Sequence, residues 1–143
     1  MSSNRPSTRV RSSDWKIKPF PRNQTNTVAW NVPLSPTDIS SLIVGFRPKD
    51  MDDKWFIYSE GPDRQGKLRV NFHRSWTGLK AAQVVVDVTS GSEHVGSITW
   101  DNGEQAGRQS LDEVKGIIAG AFKWVLGVEL SETAAAVSRV SGL

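Results

Sequence analysis

At 143 residues with six tryptophans, the chain has the length of one domain and can bury a core without covalent staples. It holds no cysteine and only two histidines, His73 and His94, which excludes disulfides, thiolate metal sites and cysteine nucleophiles and argues against a histidine-rich zinc site. Residues 1–24 carry six basic groups against one acid, and the remainder is slightly acidic, so the basic pI of about 9.4 describes an N-terminal arm and not the domain.

Residues 1–13 are mostly Ser, Arg and Asn, a composition that predicts a disordered basic arm. A single domain is predicted over 14–130, starting where apolar residues alternate at Trp15-Lys16-Ile17. No apolar run approaches the roughly 20 residues of a membrane span, and Met1 to Arg22 lacks the apolar stretch of a secretory signal. These readings predict a cytoplasmic protein, with a nuclear location as the alternative, and no membrane partner.

Val28, Trp30 and Val32 share one face of a predicted strand over 27–32. Ser35-Pro36-Thr37-Asp38 then starts a helix: serine caps, proline fills the first position, and aspartate complements the dipole. Ile39, Leu42, Ile43 and Phe46 follow at helical spacing, and Gly45 is its predicted stop, giving a short helix over 36–45. Three charged carboxylates, Asp50, Asp52 and Asp53, lie in the next loop without calcium-loop spacing. The aromatic and β-branched run Lys54 to Ser59 predicts a strand, and Gly61 to Gly66 a turn. Lys67 to Arg74 alternates, with Leu68, Val70 and Phe72 on one face and Arg69, Asn71 and His73 on the other. Ala81 to Val88 and Val95 to Trp100 complete the strands, separated by a turn at Thr89 to Ser92. Asp101-Asn102-Gly103 is a further turn signal. A capping box at Ser110 and Glu113 opens a longer helix closed by Gly127. The tail 131–143 is small and polar and is predicted to be loosely held. The predicted class is α+β: an antiparallel meander of four to five strands, with a short N-terminal helix and a longer C-terminal helix packed on one face.

One segment concentrates chemistry. His73-Arg74-Ser75-Trp76-Thr77-Gly78 places an imidazole, a guanidinium, two hydroxyls and an indole around a turn. Arg74 suits a phosphate or carboxylate through its planar fork. Ser75 and Thr77 can add hydroxyl donors, and Trp76 or Tyr58 can stack on a ring. His73 is the acid/base if there is catalysis, on the polar face with Asn71 and Arg69. The structural alternative is that Arg74 pairs with Glu60 or Asp87, that Trp76 is core, and that the small residues only make the turn. No phosphate loop, dinucleotide-binding glycine pattern or His-Glu-x-x-His occurs, so no cofactor or metal is predicted.

Trp55-Phe56-Ile57-Tyr58 followed by Phe72-His73-Arg74-Ser75-Trp76-Thr77-Gly78 resembles a small domain family that shares this paired pattern over residues 54–88. That family has no settled activity, and its bacterial members are associated with ADP-ribose-processing neighbours. Its turn is shorter than Gly61 to Gly66 here. The resemblance implies no catalytic assignment. The expectation is a domain that binds, and in one version processes, a phosphate-bearing small molecule such as a nucleotide or ADP-ribose derivative. The rivals are a protein-interaction module without a small ligand, and nucleic-acid binding through the basic arm.

Overall fold

The computed structural model describes residues 9–20, 25–101 and 111–130. Five strands form one antiparallel sheet: β1 (Thr25–Pro33), β2 (Trp55–Glu60), β3 (Lys67–Arg74), β4 (Lys80–Asp87) and β5 (His94–Asp101). Helix α1 (Pro36–Val44) joins β1 to β2, and α2 (Leu111–Ala121) follows the last strand and runs into a π turn at Phe122–Leu126. The order across the sheet is β1-β5-β4-β3-β2. Strands 2 to 5 are thus a simple meander, and the first strand pairs with the last. The fold is the α+β meander with two helices that the alternation and capping signals predict.

The helix ends form as the residues dictate. Ser35 Oγ accepts from the Asp38 N–H at 3.1 Å, and the Asp38 carboxylate accepts from the Ser35 N–H at 2.9 Å, the reciprocal pairing of a capping box. Pro36 fills the first turn, where its missing N–H is not needed. The capping residues predicted at Ser110 lie outside the described residues, as do the turn at Asn102-Gly103, the arm at 1–8 and the tail 131–143.

Alternation decides the two faces. Trp30, Ile57, Val70, Phe72, Val84 and Ile98 all point to one side and are buried against Ile39 and Leu42 of α1 and Ile118 and Phe122 at the end of the chain. Phe72 meets Phe122 edge-on, with ring centroids 5.5 Å apart. Burying one such side chain contributes about 1.5–3 kcal/mol, so this face supplies most of the stability. No helix among the described residues is long and apolar enough to cross a membrane.

The opposite face carries a smaller cluster. Phe56 and Tyr58 of β2 are buried there beneath Val10, Trp15 and Ile17. These three belong to a strap, residues 9–20, that crosses β2 and β3. Arg9 holds one end by donating to Ser59 O at 3.1 Å, Ser59 Oγ at 2.9 Å and Gly61 O at 2.8 Å. The other end is held by Lys18, whose N–H donates to Gly78 O at 2.8 Å and whose carbonyl accepts from Lys80 N at 3.1 Å. Composition reads Arg9 to Ser13 as arm. The structure places Arg9 and Val10 against the sheet, because Val10 and the Arg9 guanidinium find partners on β2 that lie about 50 residues away in sequence, while Arg11, Ser12 and Ser13 stay exposed.

Candidate functional site

The β3–β4 connection closes tightly on itself. Arg74 N donates to Leu79 O at 2.9 Å and Gly78 N donates to Arg74 O at 2.7 Å. Gly78 adopts φ +76°, and a Cβ there would run into the Lys16 carbonyl oxygen. Only glycine therefore allows the strap to lie this close. Ser75 is buried, its N–H donating to Lys54 O at 2.9 Å and its hydroxyl to Asp53 O at 2.7 Å. Its carbonyl accepts from the Trp15 indole at 2.9 Å. The turn thus ties together the strap, the loop before β2 and β3.

The loop before β2 folds on its own carboxylates. Asp53 accepts from the N–H groups of Lys49 at 2.8 Å and Asp50 at 3.3 Å, and Asp50 accepts from Asp52 N at 2.9 Å. This local capping is the habit of aspartate in loops, and it pushes Met51 outward. Trp76 is 68% exposed and Met51 74% exposed. The Trp76 indole donates to Met51 O at 3.0 Å, and the Lys54 ammonium lies 5.3 Å from the ring centroid. Trp76 is therefore held in a fixed orientation while facing water. Between these residues lies a mainly apolar groove of about 290 Å³, lined by Trp15, Pro48, Lys49, Asp50, Met51, Ser75 and Trp76.

The residues proposed from sequence fall into three places. Ser75 and Trp76 line the groove, and Thr77 is exposed in the same turn, its hydroxyl oxygen accepting from Leu79 N at 3.2 Å. Arg74 is exposed on the helix side of the sheet, its guanidinium 4.3 Å from the Trp55 ring centroid. It pairs with neither carboxylate considered from sequence: Asp87 pairs with Lys67 at 2.9 Å, and Glu60 accepts from Asn71 at 3.2 Å. Tyr58 and His73 stack on each other on the opposite face, centroids 5.7 Å apart.

His73 shares its face with Asn71 and Arg69, as alternation predicts, but it is only 2% exposed. Its Nδ1 lies 2.9 Å from Gly78 O. A carbonyl only accepts, so Nδ1 carries the proton and Nε2 the lone pair. Nε2 is buried without a hydrogen-bond partner. Burial lowers the imidazole pKa, the Gly78 bond opposes that in part, and the Lys80 charge adds to it. His73 is thus a neutral ring packed under the strap. Tyr58 is also buried, and its hydroxyl pKa is raised by burial and then by Glu60. A polar ladder continues beside them: Gln83 donates to Asn71 Oδ1 at 3.0 Å, and Asn71 to Glu60.

Sequence reasoning did not single out Trp15, Pro48 or Met51 as groove walls. One signal was present for Met51, a lone apolar side chain in the charged run Lys49 to Lys54. Among the described residues no group of three or more His, Asp and Glu side chains is placed to hold a metal ion. No family model, no curated protein and no solved structure matches this chain.

Proposed function

We propose that the protein is a protein-interaction module whose contact surface is the groove between Trp15, Met51 and Trp76. The observation that carries this reading is an exposed tryptophan fixed by a hydrogen bond to the loop that presents an exposed methionine beside it. Ordering the Trp76 ring in the free protein removes part of the entropic cost of binding. Tryptophan at the centre of a patch is the residue type on which interface energies concentrate. The groove, at about 290 Å³, is at the lower end of the roughly 300–1,000 Å³ typical of small-molecule pockets. It suits one apolar side chain better than a nucleotide.

A phosphate-bearing ligand is the second reading, and one observation favours it. The Arg74 guanidinium is exposed, oriented by Trp55, and makes no ion pair with a described residue. Against it, the Ser75 hydroxyl proton is already given to Asp53 O and the Gly78 N–H to Arg74 O.

A peptide-display selection on wild type and Trp76→Ala tests the first reading. Selected peptides are expected to bind the variant about tenfold or more weakly, a loss of at least about 1.4 kcal/mol. A parallel thermal-shift screen of nucleotides, ADP-ribose and inorganic phosphate tests the second. A stabilisation seen in wild type and lost in Arg74→Ala, with no peptide selected, replaces the first reading by the second.

A further inference from the structure

We propose that the partner of this groove is a second copy of the same chain, docked about a two-fold axis through the Met51–Trp76 patch. The inference rests on the interaction reading above and names the occupant of that surface.

Shape carries it. Among the described residues three large apolar side chains are exposed, Met51, Trp76 and Trp124. Two of them border the groove. The patch therefore bears a recess and, beside it, the protrusions that can fill one. A recess alone takes a foreign side chain. A two-fold interface needs both on one surface, because each copy presents the same patch and residue i of one meets residue j of the other. Docking of this kind covers Met51 and Trp76 of both copies at once, and thioether and aromatic side chains pack favourably against each other. The Trp76 indole is already held by the Met51 carbonyl and lies under the Lys54 ammonium, so its ring is presented to its own image in one orientation. Trp124 stands apart on the π turn after α2. It is 79% exposed, and no second exposed large apolar side chain joins it on that turn.

Charge permits the pairing. A two-fold axis sets a patch against itself, so a patch with net charge is repelled by its own copy. Here Lys49 and Lys54 stand against Asp50 and Asp52, all four exposed in the loop that carries Met51. The Asp53 carboxylate is taken up by the N–H groups of Lys49 and Asp50. Mixed signs that sum to about zero let two copies meet without that penalty, and they offer no gain to a partner of strong single charge. The contact is confined to one groove and its rim, so the pair is a transient one that is monomeric when dilute.

Sedimentation velocity on the whole chain, from about 5 µM to about 500 µM, reads the association, which mass action makes concentration-dependent. The mean mass is expected to climb from that of one chain toward that of two. Trp76→Ala should weaken the association about tenfold or more, while Trp124→Ala should leave it unchanged. Lys49→Glu gives the patch a net negative charge and should also weaken it, with part of the loss returned at about 0.5 M salt by screening. Circular dichroism confirms that each variant is folded. A chain that stays monomeric throughout, while display still selects peptides that depend on Trp76, overturns the second copy and leaves the interaction reading standing. A monomer that selects no peptide overturns both. Association that survives Trp76→Ala, or that Trp124→Ala abolishes, places the interface elsewhere and overturns the inference.

Discussion

Acidification should weaken this protein well above the range where its carboxylates titrate, and His73 is the reason. In the folded state the ring is neutral, with Nδ1–H bound to Gly78 O and a buried, unpartnered Nε2. Protonating Nε2 would create a charge with no acceptor, packed against Phe56 and Tyr58 and near the Lys80 ammonium. Burial therefore holds the folded pKa below the ordinary value of about 6.5. The sign follows from which state binds the proton. Between the folded and unfolded pKa values the unfolded chain is protonated and the folded chain is not, so stability falls as pH falls. The limiting slope for one proton is about 1.4 kcal/mol per pH unit. If the folded ring takes up no proton, going from about pH 7.5 to about pH 5.5 removes about 1.4 kcal/mol in total. Urea midpoints measured across this window check the loss, with His73→Leu as the variant in which it disappears. Ring-proton chemical shifts give a second readout. A flat midpoint, the same slope in His73→Leu, or an imidazole that titrates at its ordinary value in the folded protein would each refute the reasoning.

Gly78→Ala should cost about 2 kcal/mol or more, since a left-handed alanine is itself strained and its methyl meets the Lys16 carbonyl. The loss is read from urea unfolding, and faster hydrogen exchange at the Lys18 amide, which bonds Gly78 O, would locate it at the strap. Ser75→Ala removes the donor to Asp53 O and should cost about 1–3 kcal/mol, checked in the same way. Trp76→Ala, by contrast, should change stability by less than about 0.5–1 kcal/mol, because the ring is mostly in water. A large destabilisation by Trp76→Ala would make that tryptophan structural and remove the basis of the proposed surface.

The sheet was legible because period-two alternation survives intact in β3 and β4, where Leu68, Val70, Phe72, Val84 and Val86 all reach the core. The short helix was legible because Ser35, Pro36 and Asp38 form a cap that needs no tertiary partner. The site was less legible because its geometry is made by long-range contacts. Alternation correctly puts His73 opposite Phe72, yet nothing local says that a strap more than 50 residues earlier will cover it. Local composition makes Arg9 a member of a soluble arm, and only the free carbonyls of Ser59 and Gly61 turn it into an anchor. Tryptophan is usually core, so an exposed Trp76 shows only once the Met51 carbonyl is seen to hold its indole away from the sheet. Arg74 found an aromatic face in Trp55 and not an acid, because the register sets Trp55 opposite Arg74, whereas Glu60 and Asp87 lie opposite Arg69 and Lys67 toward the other end of β3.

Trp15 belongs to two packings at once: its ring stacks on Phe56 at 5.8 Å, and it also forms one wall of the groove. The proposed recognition surface is therefore discontinuous, assembled from positions 15, 48–51 and 75–76. A minimal fragment designed around the five strands and beginning at Thr25 would keep every ladder of the sheet and lose a wall of the groove. It would also bare Phe56 and Tyr58 to water on an otherwise polar face. Such a fragment should self-associate in solution, and a peptide spanning residues 9–20, supplied in trans, should return it to a monomer.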